Sequence, residues 1–78
     1  MAIAVFYGRI KIVKLLLDEG ADPSIPNYEQ NSPLHLAIEI QSKIIMDLLI
    51  EAGADEYFEN REGLTPWEGM ARLKQIIY

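Results

Sequence analysis

A segment of 33 residues repeats along this chain, and this repeat constrains the fold more than any other feature of the sequence. Gly20-Ala21-Asp22 recurs 33 residues later as Gly53-Ala54-Asp55, and Gln30-Asn31-Ser32-Pro33 is followed at the same distance by Gly63-Leu64-Thr65-Pro66. A fixed period of this size in a chain of 78 residues predicts a short stack of one repeated unit. Such a stack is usually a recognition surface and has no enclosed pocket for chemistry.

The spacing of apolar residues predicts helices in each unit. Three sets of apolar residues have the helical spacing i, i+3, i+4: Ile12, Leu15 and Leu16; Leu34, Ala37 and Ile38; and Ile45, Leu48 and Leu49. Each set forms one stripe, and we expect every stripe to be buried against a neighbouring helix.

Polar residues, prolines and glycines mark the ends of these helices. Ser32 and Thr65 each precede a proline. We expect the proline to take the first helical position, where its missing N–H costs nothing, and the Ser or Thr to be the N-cap, whose side-chain oxygen accepts a backbone N–H. Gly20 and Gly53 follow the second helices, where a left-handed residue stops a helix.

The period and the motif together resemble the ankyrin repeat. Ser32-Pro33-Leu34-His35-Leu36-Ala37 reads as the motif T-P-L-H-x-A with Ser in place of Thr, and residues 8–23 are similar to the second helix and following loop of that family. The resemblance covers essentially the whole chain. It implies an all-α solenoid of about two and a half helix-turn-helix units, with β-hairpin fingers between the units.

Three units follow from this register: a partial repeat over residues 1–26, a complete repeat over residues 27–59 and a truncated repeat over residues 60–78. The third unit departs from the family, because Trp67, Glu68 and Met70 replace the usual Leu, His and Ala. Ser24 and Tyr57 stand where the family often has Asn, so the side-chain bond that this Asn usually forms is in doubt.

Composition limits the classes of partner. The net charge is -5, and an acidic chain is repelled by phosphate backbones, so we expect that nucleic acid is not a binding partner. No apolar run approaches the roughly 20 residues of a membrane span, so we expect no membrane insertion. The lack of cysteine and of a signal-peptide pattern favours the cytosol, with the nucleus or export by a route without an N-terminal signal as open alternatives.

Nothing in the sequence supports catalysis, a cofactor or a metal. His35 is the only histidine. In the resembled family it would bond to the Ser32 hydroxyl and to loop backbone, tying one repeat to the next. Asp18, Glu19 and Glu51 lack the spacing of a calcium loop, and Asp22 and Asp55 are expected to accept backbone N–H bonds in turns. We therefore expect a protein that is not an enzyme.

The resemblance also implies where a partner binds. In the ankyrin architecture, finger tips and the outward side of each first helix face one concave groove. The corresponding candidates for partner binding here are Tyr28, Glu29, Asn31, Glu39, Ile40, Glu59, Arg61, Glu62 and Leu64. Phe6 and Tyr7, and Arg72 and Leu73, are the matching first-helix positions of the other units.

The sequence thus favours non-catalytic recognition of another protein, and the glutamates of the concave face favour a basic segment as the target. Two alternatives stay open. One is a small inhibitor or microbial interaction factor, of the effector or immunity type, that blocks an enzyme. The other is a structural fragment of a longer ankyrin array. We also expect self-association, because Ile3, Val5, Trp67 and Ile76 should expose apolar helix faces at the two ends.

Overall fold

Four helices, packed in two pairs, are the main elements of the residues that the structure describes. The computed structural model describes residues 1–68, so the positions considered above at Met70, Arg72, Leu73 and Ile76 lie outside the described residues. The helices are α1 (Ala2–Phe6), α2 (Ile10–Asp18), α3 (Pro33–Glu39) and α4 (Lys43–Glu51). A further helical stretch covers residues 66–68.

The expected helix ends are confirmed. Ser32 caps α3 by accepting the His35 N–H at 3.3 Å, and Pro33 takes the first helical position. Gly20 and Gly53 end the second helices with φ of +89° and +94°, a conformation that glycine adopts without strain. One further cap was not predicted from the sequence: Ser42 accepts the Ile45 N–H at 3.3 Å at the start of α4.

The core lies between the two helix pairs. Helix α1 packs on α3 and α2 packs on α4, while each pair also packs together. The expected stripe of α3 is buried, and Ile45 and Leu49 of α4 are fully buried. The α3 helix therefore lies in the middle of the described stack, with every residue from 33 to 38 buried.

The stripe of α2 differs from the expectation of burial. Ile12 and Leu15 are 49% and 56% exposed, and Val13 is the buried residue of this helix. Ile12 lines an open groove at the N-terminal end of the described residues, which explains its exposure. Val5 differs in the opposite direction. We expected it to be exposed at the end of the stack, but it is fully buried.

The expected β-hairpin fingers are not confirmed, because residues 1–68 contain no strand. The first finger (residues 27–31) is a turn in which the Asn27 N–H donates to the Asn31 carbonyl at 2.9 Å. The second finger (residues 60–64) has the same bond between Asn60 and Leu64, at 3.0 Å. One such pairing closes a turn but does not extend into a ladder of strands.

Candidate functional site

The imidazole of His35 connects the second repeat to the third. Its Nε2 lies 2.8 Å from the Leu64 carbonyl, and its Nδ1 lies 2.7 Å from the Ser32 hydroxyl and 3.2 Å from the Ser32 backbone nitrogen. A carbonyl oxygen only accepts, so Nε2 donates to Leu64 and Nδ1 accepts from Ser32. The bonds expected for this histidine are therefore present.

The Ser32–His35 contact resembles the first pair of a nucleophile–base arrangement, but its surroundings oppose that role. Ser32 is 1% exposed and His35 is 8% exposed, so a substrate has no access to the hydroxyl. The second ring nitrogen is already bonded to the Leu64 carbonyl. The pair forms a capping box for α3.

An asparagine shapes each finger from within. Asn27 Oδ1 accepts the N–H groups of Glu29 and Asn31, each at 3.0 Å. Asn60 Oδ1 accepts the corresponding N–H groups of the second finger at 2.9 and 3.1 Å. These side chains satisfy the turn and fix the backbone on which the predicted partner-binding residues stand.

Side chains also link the two fingers. Asn60 Nδ2 donates to Asn31 Oδ1 at 3.2 Å, and the Arg61 guanidinium donates to the Tyr28 carbonyl at 3.1 Å. Two candidates for partner binding, Asn31 and Arg61, therefore already use their side chains in structural bonds.

The remaining candidates differ in exposure. Tyr28 is 91% exposed, and the four glutamates at positions 29, 39, 59 and 62 are exposed as well. Ile40 is half-buried and packs against the core, so it presents less surface than a first-helix position facing a partner was expected to present.

A groove of about 350 Å³ separates the first finger from α1 and α3. Three of the candidates line it, namely Glu29, Asn31 and Glu39. Phe6 and Tyr7 line it from the end of α1, where their rings meet edge to face with centroids 5.2 Å apart. The structure thus brings together aromatic and acidic side chains from three elements, while Glu59, Arg61 and Glu62 lie outside this groove.

The loops after the second helices hold further bonds. Asp22 and Asp55 each accept a backbone N–H two residues ahead, at 2.8 and 2.9 Å, as expected. Sequence reasoning left Ser24 in doubt, but its hydroxyl accepts the Asp55 N–H at 2.8 Å and connects the loops of consecutive repeats. The signal available in the sequence was a small hydroxyl side chain at a turn position that usually carries a polar group.

Thr65 and Glu68 form a reciprocal pair at the start of the third unit. The Thr65 N–H donates to Glu68 Oε1 at 3.0 Å, and the Glu68 N–H donates to Thr65 Oγ1 at 3.3 Å. The bond from the Thr65 backbone, followed by the bond with its side chain, lowers the pKa of the Glu68 carboxyl. Glu68 takes the register position of His35, so a carboxylate there replaces the imidazole in the capping box.

Within residues 1–68, no group of three or more His, Cys, Asp or Glu side chains is placed to hold a metal ion. The helices of this part of the chain are also too short to cross a membrane.

Comparison with known proteins is consistent with this geometry. A family model described as ankyrin repeats, in three copies, matches residues 1–68. The chain is 53% identical over 59 residues to a mouse protein fem-1 homolog A-like, covering 76% of this chain and 9% of that protein. It is 41% identical to a putative ankyrin repeat protein of Rickettsia felis, covering 96% of this chain and 37% of the relative. It is also 42% identical over 59 residues to the rice potassium channel KOR2, covering 76% of this chain and 8% of the channel. The chain therefore spans well under half the length of these relatives.

Proposed function

Because this chain belongs to the ankyrin-repeat family, we propose that it acts without catalysis as a module that binds another protein. The binding surface is the concave side formed by the two fingers and the first helix of each pair. Ankyrin repeats are generally protein-interaction modules, and solenoids present extended concave surfaces for this purpose.

Tyr28 is the observation that carries this proposal. Its side chain is 91% exposed, yet its backbone carbonyl is held by the Arg61 guanidinium and its finger is braced by Asn27. An exposed aromatic ring on a fixed backbone buries much area at little cost in entropy, which suits a hot-spot residue.

Charge favours a basic target. We assign the exposed residues Glu29, Glu39, Glu59 and Glu62 to this surface, together with Arg61, so its net charge is negative. Complementary charge mainly speeds association and selects the partner, and its effect weakens as salt rises.

The experiment begins with capture of the partner by the intact chain and its identification by mass spectrometry. Replacing Tyr28 with Ala should then cost about 2 kcal/mol or more, roughly thirtyfold in Kd. Ile40→Ala should also weaken binding, although its packing against the core requires a check of folding by circular dichroism. Lys14→Ala and Lys43→Ala on the second helices are the controls and should be nearly silent. Loss of binding in these controls, with Tyr28→Ala like wild type, would place the functional surface on the convex side.

The exposed start of the stack favours a second proposal, that the chain functions as one part of a longer ankyrin array. Ile3 is 75% exposed, whereas its register equivalent Leu36 is 4% exposed because a neighbouring helix covers it. The mass of the product that an antibody to this chain detects in its source cells tests this proposal. A product of 8.9 kDa, the mass of these 78 residues, contradicts it.

A further inference from the structure

We propose that the groove between the first finger and α1 holds one cationic side chain of the partner. The rings of Phe6 and Tyr7 contact it from one side, and the carboxylates of Glu29 and Glu39 contact it from the other. This inference rests on the proposed function, because it places one contact of the partner on the same concave side. The occupant is a lysine or arginine within a basic peptide segment.

The aromatic pair forms one wall. The Phe6 and Tyr7 rings stand at 86° to each other, and the two side chains are 50% and 65% exposed. The face of an aromatic ring carries partial negative charge and attracts a cation within about 6 Å of its centre. Both rings line the groove, so a cation in it meets aromatic surface.

The carboxylates stand on the other elements of the same groove. Glu29 comes from the finger and Glu39 from the end of α3, and both are exposed. Neither is paired with a basic side chain in the described part of the chain, and no Lys or Arg is among the described residues that line this groove. The groove therefore concentrates uncompensated negative charge beside apolar surface, and a basic side chain complements both.

The floor and the size of the groove fit a long side chain. Leu36, which is 4% exposed, contributes apolar surface at the floor, and the aliphatic part of lysine or arginine packs on such surface while its charged head reaches the carboxylates. A volume of about 350 Å³ is near the lower end of the range for small-ligand pockets, roughly 300–1,000 Å³, so it suits one side chain better than a helix.

Asn27 offers one further contact to a bound peptide. Its register equivalent Asn60 donates through Nδ2 to Asn31 of the preceding finger. Asn27 uses its Oδ1 within its own finger, but its Nδ2 has no acceptor within residues 1–68. Asn27 also lines the groove, so in this proposal its Nδ2 donates to a backbone carbonyl of the bound peptide.

The test is an NMR titration of the full chain with blocked pentapeptides of glycine and serine that carry one central lysine or arginine. We expect saturable shifts at Phe6, Tyr7 and Glu29. Peptides with norleucine for lysine, or citrulline for arginine, should bind at least about fivefold more weakly because they lack the charge. Glu29→Gln and Glu39→Gln should each weaken binding about twofold to fivefold, and so should Tyr7→Leu. The matched control is Glu51→Gln on α4, which removes one exposed charge outside the groove and should change nothing.

Two results would overturn the subsite: equal binding of norleucine and lysine peptides, or the absence of saturable shifts at these residues. If one of these results is found and the Tyr28→Ala variant no longer binds the captured partner, the proposed function stands and the subsite is wrong. If instead the peptides bind as expected while Tyr28→Ala and Glu62→Gln retain the partner, the subsite stands and the wider concave surface is wrong.

Discussion

At the scale of single residues, the His35 side chain connects two parts of the fold. It bonds to the cap of its own helix and to the carbonyl of Leu64 in the next repeat. The pair Thr65–Glu68 repeats the capping half of this arrangement with a carboxylate. The equivalent positions 35 and 68 thus both bond to the N-cap residue of their helix, one with an imidazole and the other with a carboxylate.

Replacing His35 with Ala should lower the free energy of unfolding by about 1–3 kcal/mol, because Ser32 and Leu64 lose a buried partner. The Leu64 carbonyl keeps its bond from the Asn60 N–H, which limits the loss. Urea denaturation followed by circular dichroism measures it. Partner binding by the folded fraction should change little. An unchanged unfolding midpoint together with lost binding would assign His35 to the binding surface instead.

The carboxyl of Glu68 should titrate below the ordinary range of glutamate, because the Thr65 N–H and hydroxyl favour its charged form. The folded-state pKa is lower than the unfolded one, so its contribution to stability is fully present above the unfolded pKa. That contribution is lost as the pH falls through the folded pKa. Carbon-13 NMR titration of this carboxyl measures the midpoint. Thr65→Val should move the pKa only partly back, since the backbone bond remains, and an unshifted Glu68 in the wild type would contradict the pair.

At the scale of elements, the connection between the helices of each pair requires a left-handed residue. Gly8 occupies this position after α1 with φ of +66°, and Gln41 occupies the equivalent position after α3 with φ of +58°. The left-handed conformation costs a residue with a side chain roughly 1–2 kcal/mol, and glycine avoids this strain. The second connection is therefore strained where the first is not.

Gln41→Gly should raise the free energy of unfolding by about 0.5–1 kcal/mol, since relief of strain exceeds the added flexibility of the unfolded chain. Gly8→Ala should lower it by about 1 kcal/mol. A Cβ at Gly8 meets nothing within 4 Å, so the cost comes from the backbone alone. Urea denaturation with an unchanged m-value measures both. Gln41→Ala, which keeps a Cβ, is the control and should be close to neutral, whereas a similar gain from Ala and Gly would exclude backbone strain as the cause.

At the scale of the whole molecule, the stack has an uncovered N-terminal edge, formed by Met1, Ile3, Tyr7, Ile12 and Leu16. These residues line an open groove of about 450 Å³. Ile12 is 49% exposed, whereas its register equivalent Ile45 is fully buried beneath α2. Trp67 in the third unit is 37% exposed, in line with the expected apolar surface there, and Ile76 lies outside the described residues. Exposed apolar surface of this kind favours association.

The isolated chain should be of low stability, about 3–5 kcal/mol, and should self-associate through this N-terminal edge. Ile3→Gln and Ile12→Gln should each weaken self-association by about tenfold or more, because a buried apolar side chain contributes about 1.5–3 kcal/mol. Sedimentation equilibrium and thermal melts at several protein concentrations measure it. Ile44→Gln is the exposure-matched control, since Ile44 is 59% exposed on α4 and is not part of the edge. A strictly monomeric wild type with a concentration-independent Tm would rule the edge out as an interface.

The sequence by itself determined the repeat period, the helices, the Ser32 cap and the glycine stops, and the resemblance to ankyrin repeats implied the bonds of His35. These features depend on contacts within a few residues or on a motif at fixed offsets, so a linear pattern is enough to predict them. Only the tertiary structure decided that Ile12 is exposed although Ile45, in the same register, is buried. It also decided that Asn31 and Arg61 link the fingers, and that the groove gathers side chains from three elements. Burial and long-range pairing depend on which neighbour covers each surface, and a repeated sequence carries the same local signal whether or not that neighbour is there.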